Sequence, residues 1–394
     1  MIEDLDRLMQ KEGVDAIVAE GTAFEKPDVY WLTGFCSPDS VICYHAVGEE
    51  TVVATGFITL ERILKESFIK RTYDITEIQR DLSAKGKKLV DYPDLIYGPL
   101  LKSLFTGKVI GAPDHLPASV VVALQQMGHE VKPLPHILQS ARAKKSAREI
   151  KAIKRAGDAT IGALARVVDM IKDTDIGPNR TLLYKKKPLT VGDLKLAMDH
   201  FLLDRRAESV EDAILAVGTK GFDWHYLGRP SDPLKAEVPI IIDVFPRLKL
   251  DRYVADITRT VVKGKVSRKL HEMYDAVAAA AGATVDASTD GAVIDDVNMA
   301  CYNKLKSMGF DSRRLNPHAT EGMTHGLGHG IGLEVHEDPS FQDRTDHFAS
   351  GHVMAIEPGV YLKSIGGVRI ENDYEVTTKR ARLLTKGLED VLFV

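Results

Sequence analysis

Four carboxylic acids sit inside apolar, strand-like runs, and their placement limits what this chain can be. Residues 238–243 read Val-Pro-Ile-Ile-Ile-Asp, so Asp243 closes a near-continuous hydrophobic run. Asp256 is embedded in the β-rich stretch 253–262, Glu357 ends Val-Met-Ala-Ile-Glu, and Glu371 ends Gly-Val-Arg-Ile-Glu. Burying one unpaired carboxylate costs several kcal/mol, so four in one domain demand compensation. The nearest cation on a shared strand face is Arg369, two residues before Glu371. Divalent cations would neutralise all four at once.

A neutral ligand is available nearby. The segment 324–339 holds His325, His329 and His336 among alternating glycines at 326, 328, 330 and 332. Such glycines let other backbone or a substrate approach closely. A zinc-protease helix is excluded: His336-Glu337 lacks a second His at i+4, where Ser340 stands, and Pro339 would disrupt the helix. A phosphate loop is excluded too, because no Gly-Lys-Ser/Thr follows. Four carboxylates and one imidazole form an oxygen-rich set. It favours Mn²⁺, Co²⁺ or Fe²⁺, with Zn²⁺ also possible, over a thiolate zinc site. Two ions about 3.5 Å apart would share bridging carboxylates and hold a hydroxide as nucleophile.

Composition excludes other classes. Apolar residues at 44% and charged residues at 27% are the proportions of a globular chain. A net charge of −4 and short basic runs at 142–145 and 185–187 give no basic stripe for nucleic acid. Cys36, Cys43 and Cys301 have no paired spacing, so reduced thiols and a cytoplasmic location are expected. The acidic N-terminus lacks the pattern of a signal peptide, and no apolar run approaches a membrane span.

The chain of 394 residues divides into two parts. Residues 1–143 alternate strands, at 15–19, 40–44, 51–55 and 108–112, with helical stretches, which predicts an α/β domain. A polar connector, 141–145, precedes a capping box in which the Ser146 hydroxyl and the Glu149 carboxylate satisfy each other's backbone N–H. The helix it opens carries an apolar stripe from Ile150 to Ile171. Residues 174–190 read as an exposed polar insertion. Helices are expected at 191–204, 267–285 and 295–308. Strands are expected at 213–217, 238–245, 253–262, 352–357 and 367–377, so 144–394 forms the second domain.

The ordered set Asp243, Asp256, His329, Glu357, Glu371 resembles that of the pita-bread metallopeptidases: methionine aminopeptidase, aminopeptidase P, prolidase and the related creatinase. Gly328-His329-Gly-Ile-Gly with His336-Glu-Asp-Pro, Ile356-Glu357-Pro-Gly and Gly366-Gly-Val-Arg-Ile-Glu371 carry the resemblance. The first domain is similar to the creatinase/prolidase N-domain, through Tyr30-Trp-Leu-Thr-Gly34-Phe. The resemblance implies an α/β N-terminal domain and an α+β pita-bread catalytic domain.

It further implies a dinuclear metallopeptidase that hydrolyses Xaa-Pro-type peptides as an aminopeptidase or dipeptidase, in a homodimer. Asp243 would chelate one metal, His329 the other, and Asp256 and Glu371 would bridge. Glu357 would be ligand and general base. His336 would steady the carbonyl oxyanion, His225 would place the scissile amide or shuttle its proton, and Arg369 and His325 would support the ligands. Three departures bear on substrate. The Asp243–Asp256 spacing is wider than usual, which predicts a longer hairpin at 246–250. Trp224 replaces a proline beside His225 in the specificity pocket. Ser340 replaces an arginine that holds a dipeptide's carboxylate in some relatives. Trp224 and Ser340 leave room for an alternative: a non-peptide amide hydrolase or a lyase acting on a small metabolite.

Overall fold

The computed structural model describes residues 2–389 and 391–394, which fall into two compact units, Met1–Arg142 and Ala143–Val394.

In the first unit, six strands form one sheet in the order Arg71–Asp74, Val52–Thr55, Val41–Ala46, Ala16–Gly21, Val109–Ala112, Glu130–Pro133. The three middle strands pair antiparallel and the flanking ones pair parallel. Helices such as Pro93–Leu104 and Ala118–Gln126 cover a core that includes Ile42, Tyr97, Leu100, Ile110 and Leu124. This is the expected α/β arrangement. The two edge strands went unread because they are short and mostly charged or part-exposed, so no apolar alternation marks them.

The second unit holds two helix-backed sheets. Ser146 and Glu149 make the expected capping box, and the helix Ala147–Lys172 runs from it with Ile153, Leu164, Val168 and Ile171 buried. A second box, Thr190 with Asp193, starts the helix Val191–Asp204. These helices share a core with the sheet of Ile214–Val217, Ile240–Val244, Ile257–Val262 and Val391–Phe393. The helices Arg268–Ala287 and Ile294–Ser307 pack with the other sheet, Glu337–Ser340, Gly328–Gly330, Val353–Ile356, Asn372–Glu375 and Arg382–Leu383.

The structure corrects three expectations. Residues 174–190 are not a loose insertion: Asp175–Ile176, Leu182–Tyr184 and Lys187–Pro188 form a three-stranded ribbon, anchored by fully buried Leu182 and by Leu189 in the core. Its turns carry positive φ at Asn179, Arg180, Lys185 and Lys186, a conformation that Asn favours but that Arg and Lys do not advertise. The run 367–377 is two strands in two different sheets, Gly366–Arg369 and Asn372–Glu375, and Glu371 lies at the break. The run 253–262 becomes regular strand only from Ile257, so Asp256 also sits at a strand's end. The predicted hairpin does form: Pro246–Leu248 turns back so that Arg247 bridges Val254.

Candidate metal centre

Strand geometry delivers acids from both sheets to one place. Asp243 pairs with Thr258 across the Ile240–Val244/Ile257–Val262 ladder. His329 sits opposite Ala355 in the other sheet, and Glu357 follows the end of that strand. Gly328 makes this register possible, because a Cβ there would collide with the carbonyl of Ala355.

One ligating atom from each of Asp256, His329 and Glu371 lies within 4.8 Å of the other two. His329 Nε2 is 3.6 Å from Asp256 Oδ2 and 3.8 Å from Glu371 Oε1. Its Nδ1 is 3.1 Å from the carbonyl of Gly330, which places the donor proton there and leaves the Nε2 lone pair facing the acids. Asp243 and Glu357 lie outside this trio but within its electrostatic field.

Asp243 is engaged by Arg369, whose Nη2 donates to its Oδ2 at 2.5 Å. Arg369 therefore touches Asp243 directly. It reaches Glu371 through Thr258: Arg369 Nε donates to the Thr258 hydroxyl at 3.1 Å, and that hydroxyl donates to Glu371 Oε2 at 2.7 Å. Arg369 Nη1 also donates to Tyr361 Oη at 3.0 Å and to the Trp224 carbonyl at 3.3 Å. The Tyr361 hydroxyl in turn meets His325 Nε2 at 2.9 Å, and His325 Nδ1 stands 3.8 Å from Glu357 Oε2.

One guanidinium does not balance this charge. Burial, reinforced by Glu371, Asp243, Asp373 and Glu357, holds the Asp256 carboxyl well above the usual range. Burial, with Glu357 and Asp243, does the same to Glu371 against the pull of Arg369 and the Thr258 hydrogen bond. Burial pushes Glu357 up to about 7, with Arg369 opposing and Asp243 adding to the shift. His329 is driven down to about 3 by burial and by His336, so its ring is neutral, as a metal ligand requires. Asp243 Oδ1 and Asp256 Oδ1 are buried without a hydrogen-bond partner. Orphaned acid oxygens beside a neutral imidazole fit a divalent cation.

The other expected residues lie around this group, as far as ring contacts, strand pairing and nearby charges place them. His336 is exposed, its ring edge-on to His329 with centroids 4.3 Å apart. His225 is exposed after the turn Gly218–Phe222, its backbone N–H held by Asp223 Oδ1 at 3.1 Å, and its ring lies 3.7 Å from that of Trp224. Trp224 is 5.4 Å from the His325 ring. Ser340 is opposite His329 in the sheet, and its hydroxyl accepts from the Gln342 N–H at 3.2 Å.

Sequence reasoning missed Thr258, Tyr361 and Asp373. Asp373 is fully buried, accepts the Asp256 N–H at 3.1 Å, and has its other oxygen unpartnered. A period-of-two reading was the available signal, since Thr258 and Asp373 each stand two residues after a site acid. The side-chain oxygen of Asn372 accepts from Arg259 Nη2 at 2.8 Å, and the same guanidinium donates through Nη1 to the Glu371 and Thr258 carbonyls at 2.8 and 2.9 Å.

The profile of metallopeptidase family M24 matches residues 151–378. An Xaa-Pro dipeptidase of Pyrococcus horikoshii is 25% identical over 399 aligned positions, covering 99% of this chain and 98% of that protein. The solved Xaa-Pro dipeptidase from Bacillus anthracis superposes with a TM-score of 0.79 at 22% identity, over 100% of this chain and 99% of its own. The X-Pro aminopeptidase structure from Thermotoga maritima gives 0.78 at 20% identity over 99% of each chain. These superpositions span both units and match the two-domain pita-bread architecture. The family match covers more than half of the sequence and includes every acid of the centre, and the chain is thus a member of metallopeptidase family M24.

Proposed function

We propose that this protein is a divalent-metal-dependent peptidase that cleaves the N-terminal bond of Xaa-Pro peptides. The observation that carries the reading is the trio Asp256, His329 and Glu371, buried with unbalanced negative charge in an M24 chain. Full-length similarity to an Xaa-Pro dipeptidase supports the substrate class.

In this reading Asp243, Asp256, His329, Glu357 and Glu371 hold two ions, Mn²⁺, Co²⁺ or Fe²⁺ by the hardness of the donors, with Zn²⁺ also accommodated. When bound, the ions supply a Lewis acid for the scissile carbonyl and acidify a water molecule. Glu357 accepts the proton of the attacking water and passes it to the departing amine nitrogen. His336 donates a hydrogen bond to the carbonyl oxygen as charge gathers on it. His225 receives the scissile amide at the rim, and Trp224 beside it shapes the pocket for the substrate. Arg369 holds Asp243 in place through a direct hydrogen bond and, with His325 and Tyr361, fixes the wall behind the acids. Ser340, whose hydroxyl is taken up in its own turn, offers no charge to a dipeptide's carboxylate, which argues against strict dipeptidase action.

The finer reading extends to assembly and place. A homodimer follows from the N-domain resemblance. A cytoplasmic location fits the free thiols of Cys36, Cys43 and Cys301. No helix among the described residues is long and apolar enough to cross a membrane.

The test is cleavage of Xaa-Pro dipeptides and tripeptides, with metal content measured on the same sample. The expected outcome is release of the N-terminal residue with Mn²⁺ or Co²⁺ and none after chelation. Absence of turnover across the panel in metal-loaded protein would overturn the assignment.

A further inference from the structure

The capping box that opens the helix Ala147–Lys172 does more than start a helix. Glu149 Oε2 takes the Ser146 N–H at 2.7 Å, as a cap requires. Its other oxygen, Oε1, accepts the Tyr253 hydroxyl at 2.8 Å, in a buried contact across 104 positions of sequence. Tyr253 stands three residues before Asp256. One residue before the cap, Lys145 Nζ donates to Glu337 Oε1 at 2.6 Å, across 192 positions, with both side chains 1% exposed. Glu337 directly follows His336.

The second oxygen of Glu337 accepts the N–H groups of Leu333 and Glu334, at 3.2 and 3.3 Å. One carboxylate therefore ties the loop 333–337 to itself and to Lys145. Gly332 leaves the room, since a Cβ there would strike the Glu337 carboxylate and the Lys145 stem. The two held segments also meet: the Val254 N–H donates to the Gly332 carbonyl at 2.8 Å.

Stability alone does not account for this arrangement. A buried ion pair is weak as a source of stability, and apolar pairs of similar volume often do as well or better. Its directional bonds, in contrast, fix where a loop points. We propose that Lys145 and Glu149 form a positioning clamp, which holds the Asp256 segment through Tyr253 and the His329–His336 loop through Glu337 in register with each other. The clamp rests on the assignment of Asp256, His329 and His336 given above, and none of its members touches substrate.

The test uses the full chain and Co²⁺, whose visible absorption reports ligand geometry without turnover. The variants are K145M/E337L, which replaces the pair by apolar groups, and Y253F, which removes one hydroxyl. Thermal unfolding, Co²⁺ titration, and kcat and KM on an Xaa-Pro tripeptide are measured on each. K145M/E337L orphans the Leu333 and Glu334 N–H groups and is expected to unfold below the parental temperature while remaining folded at assay temperature, and to lose roughly 10- to 100-fold in kcat with little change in KM. Y253F is expected to bind Co²⁺ roughly tenfold more weakly, with an altered band. A folded double variant with parental kcat and parental Co²⁺ spectrum overturns the clamp, as does Y253F with parental Co²⁺ affinity and spectrum. Should K145M/E337L fail to fold, Y253F decides. Should the parent cleave no peptide, the proposed activity falls, and the Co²⁺ measurements alone judge the clamp.

Discussion

Glu337 and the pair Asp256/Glu371 are buried carboxylates of the same catalytic unit, yet the fold treats them differently. Glu337 has a lysine on one oxygen and two backbone N–H groups on the other. Asp256 has one oxygen with no hydrogen-bond partner and the other 3.6 Å from a neutral imidazole. Glu371 has a single hydroxyl and faces like charges from Glu357 and Asp243. Where the chain needs a fixed loop, it compensates the acid internally. Where it leaves charge uncompensated, the counter-charge has to come from outside, and that surplus marks the metal centre. Arg369 stands between the two cases, since it balances Asp243 and leaves the rest.

The sharpest break in this comparison comes from neutralising the uncompensated side. D256N and E371Q are each expected to lower kcat by on the order of 10³-fold, about 4 kcal/mol of transition-state stabilisation, together with loss of bound metal. Parental metal content and activity in either variant would mean that the surplus charge has another purpose. The metal-free D256N protein is expected to unfold at a higher temperature than the metal-free parent, because a repelling charge has gone. With metal added, the order should reverse.

A step smaller is H336A, expected to lower kcat roughly 10²- to 10³-fold with metal content unchanged, as for loss of one oxyanion donor. Metal loss in H336A would instead move His336 into the ligand set.

The same contrast predicts a pH dependence. Glu357 is raised in the folded protein from its ordinary 4.5 to about 7, so over that window the folded state binds more protons than the unfolded chain. Its contribution to stability is complete below about 4.5 and is lost as pH rises through about 7. Chelated protein should therefore lose stability over this range, followed by thermal unfolding at stepped pH, and divalent metal should remove the loss. A flat profile without metal would show that the acids are already compensated.

The smallest effect is expected at N372D. Asn372 already accepts a hydrogen bond from buried Arg259, so a carboxylate there meets a ready counter-charge. Stability should change by about 1 kcal/mol or less, with kcat within about twofold. A large activity change would show that Asn372 acts through Arg259 on the placement of Glu371 and Thr258, whose carbonyls accept from that guanidinium.

Much of this was legible in the sequence because buried acids on apolar strands are rare enough to stand out one by one. Asp256, His329 and Glu371 could be picked from their own runs, and the Ser146–Glu149 cap from four consecutive positions. What stayed hidden depends on tertiary pairing. Nothing near Lys145 in sequence announces Glu337, and nothing near Arg369 announces that its direct partner is Asp243, 126 positions away. Tyr361 sits on a strand whose apolar neighbours make it look like ordinary core, although its hydroxyl joins Arg369 to His325. The break between Gly366–Arg369 and Asn372–Glu375 was invisible for a related reason. Both halves have strand composition, and only the switch from one sheet to another separates them.

The central claim is that divalent metal, rather than protons or protein cations, completes the acid cluster. Crystals grown with Mn²⁺ and measured for anomalous scattering test it directly. The account predicts strong peaks within bonding distance of Asp256, His329 Nε2 and Glu371, with Asp243 and Glu357 completing the coordination. An empty cluster in Mn²⁺-soaked crystals, or peaks confined to surface carboxylates elsewhere, would contradict it.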